Sequence, residues 1–210
     1  MFDARIRPWI DPPLNAAATG VARTGVTADM VTVAGCGLGL AGAVCIALHA
    51  PAAGLVLFVL GRIGDGLDGA VARRTGLTER GGFLDIVCDF LVYAAVPLAF
   101  AVANPSANAV AAAALLASFI ANGVTFLAFA AIAAKRGLST TAQGGKSLYY
   151  LAGLAEGVET IAVFVAMMLW PDWFAALAWG FAALCVVSAG ARMVTAITDF
   201  GKETSLQPRA

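Results

Sequence analysis

A single histidine, His49, among 210 residues removes histidine-based acid–base chemistry and any histidine metal cluster from consideration. The four cysteines, Cys36, Cys45, Cys88 and Cys185, each lie in an apolar stretch without the paired spacing of a metal site, and they read as small core residues. Charge is scarce too: Asp, Glu, Lys and Arg make up 12% of the chain, with 13 basic residues balancing 13 acidic ones. No nucleic-acid partner is expected. Acid–base work, if the chain does any, falls to carboxylates.

What the chain has instead is apolar length. Its hydrophobic fraction is 60% and its mean hydropathy +0.86, far above an average soluble domain. A bilayer core needs roughly 20 apolar residues per helix, and six such stretches lie near 30–49, 52–72, 82–102, 108–134, 148–169 and 174–198. The expected fold is an all-α membrane protein of six transmembrane helices, forming one domain over residues 1–210. Asp3, Arg5, Arg7, Asp11, Arg23 and Asp29 interrupt the first thirty residues, so no cleavable signal peptide is expected. Residues 1–28 read as an N-terminal interfacial amphipathic segment: Phe2, Ile6, Trp9 and Ile10 lie opposite Arg5, and Pro12 and Pro13 follow. A disordered tail accounts for them equally well.

Orientation follows Lys and Arg in short flanking loops. Arg5, Arg7 and Arg23 precede span one; Arg62, Arg73, Arg74 and Arg80 flank the turn between spans two and three; Lys135, Arg136 and Lys146 fill the next even loop. Arg192, Lys202 and Arg209 end the chain. The connections around His49 to Pro51, Asn104 to Ser106 and Trp170 to Asp172 carry none. Both termini are therefore expected on the cytoplasmic side of a membrane, that of a bacterium's interior most naturally.

Residues 61–90, GRIGDGLDGAVARRTGLTERGGFLDIVCDF, set Asp65, Asp68, Asp85 and Asp89 in or beside apolar helices. One Asp at a helix centre costs roughly 2.5–3.5 kcal/mol on insertion scales, so four persist only if compensated. Asp65, Asp68, Gly69, Ala72 and Arg73 share one stripe of span two, and Gly81, Asp85 and Asp89 one stripe of span three. The spans are antiparallel, and at about 1.5 Å per residue the four carboxylates reach a similar depth. Hard oxygen donors without His or Cys favour magnesium, manganese or calcium over zinc. Two divalent cations would neutralise four aspartates, and such a pair suits an enzyme that handles a diphosphate. The small stripe of Gly66, Gly69, Gly81 and Gly82 leaves room for close helix approach or a flat ligand, and Arg73 offers a fork for phosphate oxygens. The competing structural reading pairs the acids with Arg62, Arg73, Arg74 and Arg80.

At these residues the sequence resembles the CDP-alcohol phosphatidyltransferase family, whose signature is Asp-x-x-Asp-Gly-x-x-Ala-Arg, a spacer, then Gly-x-x-x-Asp-x-x-x-Asp. Asp65, Asp68, Gly69, Ala72, Arg73, Gly81, Asp85 and Asp89 match every fixed position over about 25 residues, with a spacer of seven residues where the familiar pattern often has eight. The resemblance implies an integral-membrane homodimer of phospholipid synthesis with a polar cavity facing the cytoplasm. Asp65, Asp68, Asp85 and Asp89 would then ligate two Mg2+ or Mn2+ ions, and Asp68, Gly69, Ala72, Arg73 and Gly81 would surround the CDP-linked substrate, such as CDP-diacylglycerol. Asp89 would be the general base for an acceptor hydroxyl that attacks the lipid-bound phosphorus as CMP departs.

The acceptor has two candidate seats. Glu156 and Glu159, on one face of span five, suit a cationic alcohol such as choline or ethanolamine, or the amine of serine, or pair with Arg192 or Arg62 instead. Lys135, Arg136, Lys146 and Arg192 suit a phosphorylated acceptor such as glycerol phosphate or inositol phosphate. Tyr149, Tyr150, Trp170, Trp173 and Trp179 fit aromatic belts. Two rival functions use the same acids: transfer of a head group from a CDP-alcohol to diacylglycerol, and a cation transporter, for which the Gly69, Ala72, Arg73 arrangement has no use.

Overall fold

The structure is a computed structural model that describes residues 3–135 and 157–204, all built from helices and short connections. Seven α-helices follow in order: α1 Asp3–Arg23, α2 Ala28–Ala47, α3 Pro51–Thr75, α4 Glu79–Ala103, α5 Pro105–Lys135, α6 Gly157–Leu169 and α7 Phe174–Thr204. A short 3-10 turn, Pro171–Trp173, joins the last two. Among the described residues four helices are long and apolar enough to cross a membrane: α2, α4, α5 and the α7 region. The expected second span, α3, has the length but carries Arg62, Asp65, Asp68, Arg73 and Arg74. The expected fifth is described only from Gly157 onward. The chain is thus an all-α integral-membrane protein with four clear spans, two short of the expected six by this measure.

Large apolar side chains cover the outer faces, including Val44, Val110, Ile120 and Val187, each more than half exposed. That surface suits hydrocarbon, not water. The connections around His49, Asn104 and Pro171, which lack Lys and Arg, line one shared cavity of about 440 Å³. They therefore lie at one end of the bundle, as an alternating up-and-down course requires.

The α2–α3 pair is joined by glycine. A Cβ on Gly61 would lie 2.7 Å from the Gly35 carbonyl oxygen, and one on Gly42 would lie 2.9 Å from the Gly54 carbonyl oxygen. Without hydrophobic drive inside lipid, such backbone approach supplies the packing that holds helices together. Gly39 turns the same helix towards α4, where its Cβ would strike Val92. Deeper in the bundle, Phe164 of α6 stands edge-on to Phe58, Tyr93 and Phe119 at centroid distances of 5.8, 5.9 and 6.0 Å. Phe119 does the same to Phe181 of α7. Five helices thereby share one aromatic cluster, each pair contributing about 0.5–1.5 kcal/mol beyond area burial.

The N-terminal segment is a continuous helix through Pro12 and Pro13, not a short helix ended by them and not a tail. Its second half is held by tertiary contact: Ala18 is fully buried with Ala70 and Val71 of α3, and Leu14 and Val21 pack around them. Leu14 reaches Gly66, whose absent side chain makes its space.

Candidate active site

Two hydroxyl caps and one glycine aim the acidic helices. Thr27 caps α2 by accepting a hydrogen bond from the Met30 amide at 3.3 Å, and Thr78 caps α4 by accepting one from the Gly81 amide at 3.0 Å. Gly76, with φ of +117°, ends α3 in a conformation that side chains resist. The chain then reverses within three residues, and α4 returns beside α2.

This turn sets one carboxylate oxygen from each of Asp65, Asp68 and Asp85 within 4.8 Å of the others. Asp68 is buried and accepts a hydrogen bond from the Thr32 hydroxyl of α2; Asp65 and Asp85 are partly open. Asp89 stands nearby but outside this group of three. It accepts from the Arg62 guanidinium, whose same nitrogen stands 3.7 Å from Asp65. One cation therefore sits between Asp65 and Asp89, so all four acids occupy one region and are not splayed around the bundle. Arg62 also lies over the Tyr93 ring, 5.7 Å from its centroid, which joins the site to the aromatic cluster below.

The other expected residues divide clearly. Arg73 folds back over Gly69, whose Cβ would lie 3.4 Å from the Arg73 Nη1. Ala72 is half-buried on the same helix. A Cβ on Gly81 would crowd Asp29 at 3.2 Å, and Asp29 accepts from Arg80 Nε at 2.7 Å. Of the structural pairings considered, that of Arg62 forms, with Asp89 and near Asp65, whereas Arg80 binds Asp29, an acid outside the four. Arg62 was counted with the charges flanking the turn; its side chain is only 6% exposed, so it belongs to the site and says nothing about loop orientation. Arg192 is buried in α7 and donates from Nη1 to the Asn122 carbonyl and side chain of α5, each at 3.0 Å. Glu159 opens α6, and Lys135 ends α5 on the surface. Arg136, Lys146, Tyr149, Tyr150 and Glu156 lie outside the described residues.

Sequence reasoning passed over Asp29, Thr32 and Tyr93. Thr32 and Asp29 sit in or near the first turn of α2, where polar residues look like ordinary helix-end chemistry. Only tertiary packing brings them to α3 and α4. Tyr93 carried a usable signal: it stands four residues after Asp89, hence on the same helical face. A Thr32→Val variant should keep the fold and bind Mn2+ about 10-fold more weakly, as expected for loss of a partner that orients a ligand. Electron paramagnetic resonance of free Mn2+ measures this directly.

A carboxylate triad on two antiparallel helices of a membrane bundle is a hard-oxygen donor set, the kind a metal-dependent transferase of phosphate esters uses. The family model for CDP-alcohol phosphatidyltransferase matches residues 25–189, and the chain belongs to that family. It is 46% identical over 193 residues to the inner membrane protein YnjF of Escherichia coli, covering 92% of this chain and 94% of that one. It is 32% identical over 94 residues to the archaetidylinositol phosphate synthase of Pyrococcus horikoshii, covering 44% of this chain and 50% of that one. The fold is similar to that of Mycobacterium tuberculosis phosphatidylinositol phosphate synthase, PgsA1, solved with CDP-DAG bound. The TM-score is 0.72 at 23% identity, over 88% of this chain and 94% of that one. A second PgsA1 structure, in complex with manganese and citrate, gives a TM-score of 0.71 at 24% identity, over 88% and 89%. The chain is therefore a membrane transferase of phospholipid synthesis.

Proposed function

We propose that the enzyme transfers a phosphatidyl group from CDP-diacylglycerol to a small alcohol and releases CMP. The convergence of Asp65, Asp68 and Asp85 carries this reading. Their oxygens form a hard, anionic donor set that fits Mg2+ or Mn2+, and PgsA1 was solved with manganese in one structure and with CDP-DAG in another. Two ions complete the site, with Asp89 the fourth ligand. When bound, they would offset the charge of the diphosphate and make an acceptor hydroxyl more acidic.

The chain's own groups do the rest. Gly69 leaves the nucleotide room, and Ala72 and Gly81 keep the neighbouring walls small. Arg73, folded over Gly69, forks to a phosphate oxygen. Asp89 takes the acceptor's proton as the acceptor oxygen bonds to the lipid-bound phosphorus and the bond from that phosphorus to the CMP oxygen breaks. Arg192, with Lys135 and Arg136, fits a phosphorylated alcohol, in keeping with the inositol phosphate synthases among the relatives. Glu156 and Glu159 are the seat that a cationic alcohol would use.

The single domain spans the membrane six times, with α3 and the helix ending at Leu169 as the remaining crossings, and the N-terminal segment 1–28 lies along the interface. The membrane is a bacterial inner membrane, as the name of YnjF supports, and the positive loops favour termini and site on its cytoplasmic side. The working form is a homodimer, which chemical crosslinking in membranes would reveal.

Purified protein incubated with labelled CDP-diacylglycerol, Mn2+ and a panel of alcohols and alcohol phosphates should yield one phosphatidyl product and stoichiometric CMP. Product from diacylglycerol and a CDP-alcohol in its place would reverse the donor assignment. Metal-dependent ion flux without CMP release would make the chain a cation transporter.

A further inference from the structure

We infer that Arg62 is a positioning residue that holds Asp89 away from the other three carboxylates, so that the resting enzyme binds one divalent ion tightly and a second only weakly. The inference rests on the proposed metal site. Its basis is a set of contacts that the motif does not require.

Arg62 precedes Asp65 by one helical turn on α3, and its Nη1 reaches across to Asp89 of α4. The guanidinium is almost wholly enclosed, whereas Asp89 retains 30% side-chain exposure. Its Nε is buried and makes no hydrogen bond, and the guanidinium lies over the Tyr93 ring. The charged partners that the Arg62 Nη1 meets are the carboxylates of Asp65 and Asp89.

The charge count gives the consequence. Four ionised aspartates carry four negative charges, and Arg62 supplies one positive charge from within the protein. A first divalent ion at Asp65, Asp68 and Asp85 meets three carboxylate oxygens already gathered. A second ion needs Asp89, and must compete there with a guanidinium bonded to the same oxygen in a poorly screened setting. A diphosphate supplies the anionic oxygens that make this exchange favourable. Arg62 thereby couples filling of the second metal position to arrival of the nucleotide, and keeps the Asp89 carboxylate aimed until then.

Manganese titration of purified protein without nucleotide, followed by electron paramagnetic resonance, tests this without any turnover. The wild type should bind one ion tightly, and Arg62→Gln should bind a second at least about 10-fold more tightly than the wild type does, a change typical of altering a ligand's outer partner. Arg62→Lys, which keeps the charge, should restore the weak second site. Equal, tight binding of two ions by the wild type overturns the inference whether or not the variant folds, as does a folded Arg62→Gln with unchanged second-site affinity. Asp68→Asn separates the two readings. If it binds manganese as the wild type does, the metal site itself is wrong; if it loses the ion while Arg62→Gln changes nothing, only the role of Arg62 fails.

Discussion

Asp68→Asn should abolish Mn2+-dependent CMP release from CDP-diacylglycerol, lowering the rate by at least about 100-fold, because partners outside the metal shell alone are worth 10–100-fold. Asp68 is the buried member of the triad, and Thr32 fixes its carboxylate from α2. Asparagine keeps the shape and can still accept from Thr32, but removes the charge that makes the oxygen a ligand for a hard cation. Asp65→Asn and Asp85→Asn should fall equally far, since each gives one of the three gathered oxygens. Asp89→Asn should also lose transfer if Asp89 is the base, as proposed. Unaltered CMP release in folded, purified variants would remove Asp65, Asp68, Asp85 and Asp89 from the chemistry.

The largest effect on stability is expected at Gly61. Its missing Cβ would lie 2.7 Å from the Gly35 carbonyl oxygen and 3.2 Å from the Gly39 nitrogen, both backbone atoms that cannot swing away. Gly61→Val should therefore separate α2 from α3 and cost at least about 3 kcal/mol, the upper end of overpacking penalties. It should carry activity away with it, because Asp65 lies one turn further along α3. Gly37→Ala is the matched control: the space around Gly37 is open, so alanine there should be neutral or stabilising by up to about 1 kcal/mol through helix propensity. Thermal unfolding in detergent would distinguish them, and equal melting temperatures would show that the seam accommodates a side chain at Gly61.

The fold was legible where apolar length dominates. The expected spans at 30–49, 82–102 and 108–134 meet α2, α4 and α5 within a few residues at each end, since proline, threonine and asparagine mark those ends. The stretch expected as span two does form one long helix, though its charge leaves it outside the four clear spans. α3 reaches full length with five charged residues by turning most of them towards neighbours that satisfy them. The N-terminal helix was undecided because its stability resides in Leu14, Ala18 and Val21 meeting α3, a contact that no local pattern encodes.

The site was half legible. Helical spacing put Asp65 and Asp68 on one stripe and Asp85 on the facing one, and three carboxylates do converge. Spacing left Arg62 as one of four arginines that could pair with the acids, and only the packing of α3 on α4 selects it for Asp89. Nor could spacing show that α2 contributes: Thr32 reaches Asp68 across 36 positions of sequence, brought there by glycines at 35, 42, 54 and 61.

That glycine contact divides the protein into parts with different freedom to change. Where two helices touch through their main chains, nearly every substitution widens the gap, so the half that carries the reactive groups has little latitude to drift. Helices α5 to α7 meet the rest mainly through side chains, which can be exchanged for others of similar bulk. New side-chain contacts can therefore arise on that second half while the carboxylates stay in place.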